Sequence, residues 1–310
     1  MHRQRVESTA KEITNSFQIV SCICEFVETN RTEIRSGWRP LFGALRVASV
    51  GNSDSVESAP LLEVFRVFLS TDNTLVFANA ALDCILCLLK HVRGIGDTES
   101  HQDDQDQVDI VESRKMRLCV ESLKYLLSCS DILASMYGMP ACPIFHSAQR
   151  IQVSTIPQYV DPTIPNSELI RFDKHVESMQ ETIPEKSHDI LMDNVHTITT
   201  LQSMDKPSGI LRVWYILIEG LASATMICPK RYQPHTLETL FHLLRDTLNV
   251  PGPTFGLYCV NHLLLPMVQN WLRRTSKIFR GWDNFAPNFK QCCGLTTDLV
   301  VDYLTHLQGN

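Results

Sequence analysis

The sequence lacks the short motifs that mark the common enzyme classes. It contains no serine nucleophile elbow, no glycine-rich phosphate loop, no zincin helix and no kinase signature. Its 13 glycines are scattered, as expected for loop and cap residues. An enzyme with a known motif is therefore disfavoured, and we expect no catalytic residue, no cofactor-binding residue and no metal ligand. An enzyme of an unrecognised type remains an alternative.

The chain also lacks excess positive charge and an apolar leader. Its 28 lysines and arginines against 34 aspartates and glutamates give a net charge of -6, which disfavours a general nucleic-acid-binding surface. The first residues, Met1–Glu7, are polar and lead straight into an amphipathic pattern instead of a secretory leader. We therefore expect the 11 cysteines to be reduced in the cytosol.

Uninterrupted apolar runs of membrane-spanning length are absent as well. The two most apolar stretches are Thr74–Val92 and Ile210–Ile227, and each carries charged residues. A charge is costly at the centre of a bilayer, and the uninterrupted runs fall short of the ~20 residues that span one. Both stretches are predicted to be helices buried between other helices.

What the sequence does contain is helical periodicity along most of its length. An apolar series at helical spacing opens the chain: Ile13, Phe17, Val20, Cys24 and Val27. Further helices are predicted at about Trp38–Ala48, Pro60–Leu69, Thr74–Val92, Ser113–Met136, Ser208–Ile227, Pro234–Leu248, Thr254–Arg273 and Pro287–Leu307. No strand-like alternation with hairpin turns appears. Helix pairs that are too apolar to stand alone predict an all-α fold, an armadillo/HEAT-like α-solenoid of stacked helix pairs.

Composition divides the chain into five predicted parts. Residues 1–92 form N-terminal helical repeats, 93–112 an acidic linker, 113–136 one helix, 137–207 a proline-rich insert, and 208–310 C-terminal helical repeats. The acidic run has seven acidic side chains and no lysine or arginine between Asp97 and Glu112, as expected for a solvated, disordered connector. The insert holds seven of the 15 prolines. Apolar residues at helical spacing predict two amphipathic helices in it, at about Ser167–Thr182 and Lys186–Met204.

The cysteines and histidines give no sign of a metal site. The pair Cys84–Cys87 has zinc or redox spacing, but it lies in an apolar helix without a second cysteine or histidine pair at a suitable distance. We expect it to pack in the core, as cysteine often does. His242 and His262 also lie in apolar helical runs and are expected to be structural.

Two stretches match the Leu-x-x-Leu-Leu box that docks into hydrophobic grooves, Leu123–Leu127 and Leu240–Leu244. They give an alternative function, that of an adaptor or coregulator of transcription. Helices buried in a bundle show the same spacing, and both boxes fall where a core helix is predicted. Exposure of the leucines would decide between the two interpretations.

A basic cluster near the C-terminal end is the best candidate for an interaction surface. Its members are Arg273, Arg274, Lys277 and Arg280, interleaved with Trp271, Phe279 and Trp282. Such a face could contact anionic lipid headgroups or an acidic partner. Cations near the end of a helix also interact favourably with its dipole, so a solvated helix end explains the same residues.

Two regions of the sequence, one near each end of the chain, resemble one known family. The apolar helix Val20–Val27 is followed by Ile34–Phe42, which contains Ser36, Gly37 and Trp38. Later blocks fit in the same order, and they are Leu211–Leu221 with Trp214, Thr236–Leu244, Phe255–Tyr258 and Leu264–Met267. This series resembles the large Arf guanine nucleotide-exchange factors of the brefeldin A-inhibited group, in the helical region downstream of the exchange domain.

The resemblance implies a scaffold and not an exchange enzyme, because no counterpart of the exchange domain is present. It implies that Ser36 and Gly37 cap and turn the chain, and that Trp38 and Trp214 anchor helix pairs as buried aromatics. The implied partners are an Arf-family GTPase or other trafficking proteins, with peripheral membrane contact and without nucleic acid. The implied location is the cytoplasm, at the surface of Golgi, endosomal or secretory-vesicle membranes.

Overall fold

The computed structural model describes residues 18–47, 58–94, 105–152, 170–171, 201–205, 207–276 and 286–308. The helices of its first half are α1 (residues 18–29), α2 (Trp38–Val47), α3 (Ser58–Leu69), α4 (Thr74–Arg93) and α5 (Gln105–Tyr137). A 3-10 helix (His146–Arg150) and the strands β1 (Ile151–Gln152) and β2 (Ile170–Arg171) follow. The second half contains α6 (Leu201–Met204), α7 (Ile210–Ile227), α8 (Gln233–Asp246), α9 (Pro253–Cys259), a π turn (Val260–Leu264), α10 (Leu265–Ser276) and α11 (Pro287–Gln308).

Helix α4 lies at the centre of the fold. It packs against α2, α5 and α7, and it is buried on nearly every side. Its start is fixed by Asn73, whose side chain accepts hydrogen bonds from the backbone N–H groups of Leu75 and Val76. This cap satisfies two N–H groups that have no partner within the helix. Because α4 is surrounded by other helices, none of its faces needs to be polar, and its sequence shows no polar face.

The second half of the chain continues the stack. Helix α7 packs against α4 and α8, and α8 packs against α11. The last helix is held by Tyr303, whose hydroxyl donates to the carbonyl of Leu244 at 2.9 Å and lies 3.1 Å from the Thr247 hydroxyl.

The predicted all-α solenoid is confirmed for the described residues. The one strand pairing there is the two-residue parallel contact of β1 with β2.

The structure corrects two sequence predictions around the linker and the insert. Helix α5 begins at Gln105, so the segment from Gln105 to Glu112 is helical and not part of a disordered connector. Within the predicted helix Ser167–Thr182, Ile170–Arg171 forms β2 instead. The rest of that prediction lies outside the described residues, and so does most of the predicted helix Lys186–Met204, of which Leu201–Met204 is observed as α6.

The predicted helix Thr254–Arg273 is divided by the π turn. Pro266 is the second residue of α10 and has no N–H to offer to the preceding turn. The π turn at Val260–Leu264 comes immediately before α10 and shifts the hydrogen-bond pattern by one residue. The chain therefore accommodates the proline without ending the helical run.

Candidate interaction surfaces

An aromatic cluster forms the contact between α2 and α3. The Trp38 ring stacks on Phe42 at 5.7 Å between centroids and lies 5.2 Å from Phe68, and Phe42 in turn stacks on Phe65 at 5.7 Å. Trp38 is only 2% exposed. Aromatic pairs at such distances add to the free energy gained from burying their area. The predicted burial of Trp38 is confirmed.

Trp214 is a second buried tryptophan, in the second half of the fold. It is 1% exposed, and its indole Nε1 donates to the Ser130 hydroxyl of α5 at 2.9 Å. On its other side the ring lies 6.0 Å from that of Phe255. A buried indole needs such a partner for its N–H group. The predicted burial of Trp214 is therefore confirmed as well, with α5, α7 and α9 as the helices that it joins.

The sequence predicts that Ser36 and Gly37 both cap and turn the chain, whereas in the structure Gly37 alone takes the N-cap position of α2. The Gly37 carbonyl accepts the first helical bond of α2, from the Leu41 N–H at 3.2 Å, so Gly37 takes the N-cap position. Ser36 is exposed, one residue earlier. The glycines with positive φ among the described residues are Gly94, Gly209 and Gly252. Gly37 is thus not required for a left-handed backbone, and a methyl group there would meet only Ile34, at 3.6 Å.

A buried carboxylate connects helix α2 with the base of the insert. Asp83, in α4, accepts hydrogen bonds from Arg150 Nη1 at 3.0 Å and Nη2 at 2.6 Å. Both side chains are buried, at 6% and 7% exposure. Arg39 Nε lies 3.7 Å from the same carboxylate. A charge in a core is tolerated only when it is paired and hydrogen-bonded, and the two arginines supply that pairing.

A second polar cluster fixes the other end of the insert. Asp205 accepts hydrogen bonds from the N–H groups of Leu211 and Arg212, and from Arg212 Nε at 3.0 Å. Burial raises the pKa of Asp205, and these hydrogen bonds act against that increase. Arg212 also donates to the Ala148 carbonyl at 3.2 Å. Gly209, at φ 79°, lies so close to Ala148 that a Cβ would approach the alanine methyl group to 2.7 Å.

An open apolar groove lies between α1 and α2 in the described part of the chain. Its volume is about 810 Å³, and its lining residues are Gln18, Ile19, Cys22, Ile23, Phe26, Gly37, Pro40, Leu41 and Ala44. Ile19 and Phe26 are 47% and 49% exposed. Pockets of roughly 300–1,000 Å³ with apolar walls are typical of binding sites. The groove was not predicted, because the apolar series identified in the sequence includes Val20, Cys24 and Val27 but not Ile19 or Phe26.

A smaller cleft of about 290 Å³ lies between α8 and α11. His242 Nδ1 is 2.7 Å from Asp246 at its rim, and Arg245 donates to Asp302 at 2.8 Å. All four side chains are between 39% and 62% exposed. Exposed pairs of this kind contribute about 0–1 kcal/mol each. The cleft therefore offers exposed polar pairs and no buried reacting group among its described lining residues.

The basic cluster is described only in part. Arg273 and Arg274 are exposed in the last turn of α10, beside Trp271, which is 9% exposed and packs edge-on against Phe289 at 5.5 Å. Lys277 and Arg280 lie outside the described residues. The structure thus leaves the proposed basic face untested, apart from the exposure of its first two members.

The leucine boxes are part of the core. In the first box Leu123 and Leu126 are buried, and Leu127 is partly buried against the core. In the second box the three leucines are at most 1% exposed. A docking helix must present these side chains to its partner. The adaptor interpretation is therefore wrong for these boxes as they are folded here.

Cys84, Cys87 and His91 are buried in the core. Burial raises the pKa of Cys87 to about 12, and Cys84 is likewise fully buried with a raised pKa. Such thiols are inert, because the thiolate is the reactive form. Burial lowers the pKa of His91 to about 4, so it is neutral in the fold. Within the described part of the chain, no three metal-binding side chains meet.

Two helices, α4 and α7, are long and apolar enough to cross a membrane by length and composition alone. In the fold, 78% and 72% of their most apolar windows are buried inside the protein. Core helices of globular proteins pass the same test of length and hydropathy. Their burial between neighbouring helices agrees with the prediction made from the sequence.

A model of a known protein family matches the part of the chain that forms the groove. Residues 6–61 match the family model described as "Sec7-like_HDS: Mon2/Sec7/BIG1-like, HDS". These residues include α1, the Ser36–Trp38 turn and α2. No solved structure matches the chain.

Two curated relatives extend the match to nearly the whole chain. They are the brefeldin A-inhibited guanine nucleotide-exchange protein 3 of Homo sapiens and that of Mus musculus, each 37% identical over 299 residues. Over this length the chain is similar to the brefeldin A-inhibited guanine nucleotide-exchange protein 3. The alignments cover 93% of this chain but 12% of each relative, in a region outside the exchange domain. The resemblance seen in the sequence is confirmed.

Proposed function

We propose that this chain is a non-catalytic regulatory scaffold of a large Arf exchange-factor-like protein. It acts in Arf signalling and vesicle traffic by binding other proteins, at the cytoplasmic surface of Golgi, endosomal or secretory-vesicle membranes. The observation that carries this proposal is the 37% identity over 93% of the chain to a region of the exchange proteins that excludes the exchange domain. The five-part division into repeats, linker, helix, insert and repeats belongs to the same proposal, with the helix beginning at Gln105 as in the structure.

The arrangement of charged groups supports a scaffold. Asp83, Arg150, Asp205 and Arg212 bind one another or the backbone inside the fold, where they hold elements together. Catalytic groups, by contrast, converge on a pocket with a place for a reacting atom. The large groove between α1 and α2 is apolar, which suits a protein segment better than a reacting small molecule.

A binding experiment with purified components tests the proposed partner. The full chain is immobilised and incubated with an Arf-family GTPase loaded with a non-hydrolysable GTP analogue or with GDP. Retention of the GTP form, or of trafficking proteins from cytosol in its presence, supports the proposal. A parallel measurement of nucleotide release should show no acceleration by the chain. Absence of retention in every arm, or a clear acceleration of release, contradicts the proposed role.

The membrane contact rests on the basic cluster and has its own test. Reversing Arg273, Arg274, Lys277 and Arg280 to glutamate should reduce co-sedimentation with vesicles that contain phosphatidylserine. A charge-matched control reverses four exposed basic residues elsewhere, namely Arg35, Arg46, Arg117 and Lys124. A loss of binding confined to the first variant supports a specific surface. Equal binding by wild type and both variants removes the lipid contact from the proposal.

A further inference from the structure

An apolar ridge on the last helix is the counterpart of the groove between α1 and α2. The ridge consists of four side chains of α11 that are 39% to 55% exposed, namely Val300, Val301, Leu304 and Leu307. We propose that the ridge of one copy of the chain docks into the groove of another, so that copies associate head to tail. This goes beyond the scaffold function, because it assigns a second copy of the chain as a partner.

The ridge and the groove lie at opposite ends of the order in which the helices pack. Helix α2 packs on α4, α4 on α7, α7 on α8, and α8 on α11. Stacked helical repeats need end repeats with a polar outer face to remain soluble as single copies. Here the outer face of α1 carries the half-exposed Ile19 and Phe26, and that of α11 carries the ridge. One contact between copies covers both faces, because it continues the stack from α11 of one copy to α1 of the next.

The sequence of α11 is that of a helix with neighbours on two sides. Its fully buried side chains, Phe289, Cys292, Leu299 and Tyr303, follow helical spacing along one face. The ridge begins at Val300 and repeats after four and seven residues, which places it on an adjoining face. A surface helix with one neighbouring layer needs a single apolar stripe. Helices α8 and α10 pack against α11 within the fold and leave its second stripe open.

The two surfaces agree in length and shape. The α1 wall of the groove runs from Gln18 to Phe26, which is ~12 Å of helix, and the ridge from Val300 to Leu307 is ~10 Å. The α2 wall includes the small residues Gly37 and Ala44, which let another helix approach closely. A groove between two helices is the shape into which a row of side chains on a third helix packs.

The charge distribution also suits a contact between copies. Neither the nine residues that line the groove nor the four of the ridge are charged, so docking buries no unpaired charge, which would be costly. The exposed charges beside the two surfaces, Glu25 on α1 and Asp298 on α11, are acidic. They disfavour an anionic lipid surface as the occupant. Because they are exposed, salt screens them from each other at physiological ionic strength.

The size of the surfaces sets the expected strength. Standard protein interfaces use ~20–30 residues on each side, several times more than the ridge provides. We therefore expect a weak, reversible contact, with monomers at ~1 μM protein and clear association at ~100 μM. Every added copy presents the same free ridge and groove, so the assembly grows beyond a dimer as the concentration rises.

Sedimentation velocity of the full chain between ~1 and ~100 μM measures this association. The average mass of wild type should rise with concentration. The ridge variant Val301→Glu, Leu304→Glu and the groove variant Ala44→Glu should each remain monomeric, because a charge would be buried in the contact. The matched control is Leu75→Glu, at a side chain of α4 that is 68% exposed and belongs to neither surface, and it should associate as wild type does.

A mixture of the two variants distinguishes a head-to-tail contact from a symmetric one. The ridge variant retains an intact groove and the groove variant an intact ridge, so an equimolar mixture should form dimers that grow no further. The proposal is overturned by a wild type that stays monomeric at ~100 μM, since another partner would then have to cover the faces. It is also overturned if the groove variant associates as wild type does, which would indicate pairing of α11 with α11, or if the mixture stays monomeric.

Cross-linking tests the contact without a charge in it. The native thiol of Cys22 is exposed and lines the groove. A chain with Cys22→Ser and Leu304→Cys is mixed with wild type, and a short bismaleimide should join residue 304 of one copy to Cys22 of the other, as identified by peptide mass spectrometry. With Asp298→Cys in place of Leu304→Cys, away from the ridge, the yield should fall several-fold. Equal yields from the two positions, or no link from residue 304, would contradict docking by the ridge.

Discussion

Asp83 and Arg150 are 67 residues apart in the sequence, and they form a two-point hydrogen-bonded ion pair inside the fold. The pair joins the central helix α4 to the base of the insert. It also lies beside Arg39, so three separate parts of the chain meet at one carboxylate.

Removing one member of this pair should be strongly destabilising. Arg150→Met leaves the Asp83 carboxylate buried with only the more distant Arg39, and the expected loss in free energy of unfolding is about 3–5 kcal/mol. The double variant Asp83→Leu, Arg150→Met should recover much of that loss, because it removes the uncompensated charge. Urea denaturation measures both. Arg245→Met, in the exposed pair with Asp302, is the control and should cost at most ~1 kcal/mol.

Trp38 should be a large contributor to stability. Trp38→Ala removes a ring that is 2% exposed and stacked among aromatic neighbours, with an expected loss of about 3–5 kcal/mol in urea denaturation. Trp214→Ala should cost a similar amount, and it also leaves the Ser130 hydroxyl without its indole partner. Tyr137, which is 39% exposed, is the control, and its change to alanine should cost ~0.5 kcal/mol or less. A denaturation midpoint that barely moves in Trp38→Ala would refute the anchoring role.

Two glycines in helices should respond to alanine with opposite signs. Gly220 allows α7 to approach α4, and a Cβ there would overlap Leu89 Cδ1, so Gly220→Ala should destabilise by about 1–3 kcal/mol. Gly294 is exposed in α11 with no atom in the way of a Cβ. Gly294→Ala should therefore stabilise by about 0.5–1 kcal/mol. Thermal unfolding of the two variants side by side distinguishes the signs, and a loss of stability in both would contradict the described packing.

Stability should fall in mildly acidic solution because of His91. Its pKa in the fold is about 4, against 6.5 ordinarily, chiefly because of burial and also because of the nearby charge of Lys90. The neutral form is favoured by folding, so the contribution is complete above pH 6.5 and is lost as pH falls from there towards 4. Between pH 7 and pH 5 the expected loss is about 2 kcal/mol.

His91→Leu should remove that part of the pH dependence, measured as urea denaturation at pH 7 and pH 5. His242→Gln, at a side chain that is 62% exposed, is the control and should retain it. An unchanged slope in His91→Leu would show that other groups cause the acid sensitivity.

The helices were predictable because their signals are local. Asn73 marks the start of α4, and helical spacing located α7, α8 and α11 to within two residues of their observed ends. The π turn was not predicted, although Pro266 lies beside it and cannot donate a backbone hydrogen bond. The Asp83–Arg150 ion pair was not predictable either, because helical periodicity does not show which residues 67 positions apart come into contact. The position of Asp83 in the middle of so apolar a helix nevertheless indicated that its carboxylate needed a partner.

The groove escaped prediction for a related reason. Ile19 and Phe26 have the apolar character of core residues, and only the tertiary arrangement shows that they are half exposed. Apolar periodicity says which residues share a helix face but not what covers that face. The motif Ser36–Gly37–Trp38 predicts the start of a helix, and α2 begins there at Trp38.

The hydrogen bond from the Phe145 N–H to the Ser208 carbonyl, at 2.7 Å, has an evolutionary consequence. It brings together the two points where the chain leaves and rejoins the helical stack. For a loop whose ends are held so close, each doubling of length costs only ~0.6 kcal/mol. Descendants of one ancestor can therefore acquire or discard whole stretches of sequence at this place while the helices keep their packing. The same property makes it a suitable point for grafting a fluorescent or affinity domain.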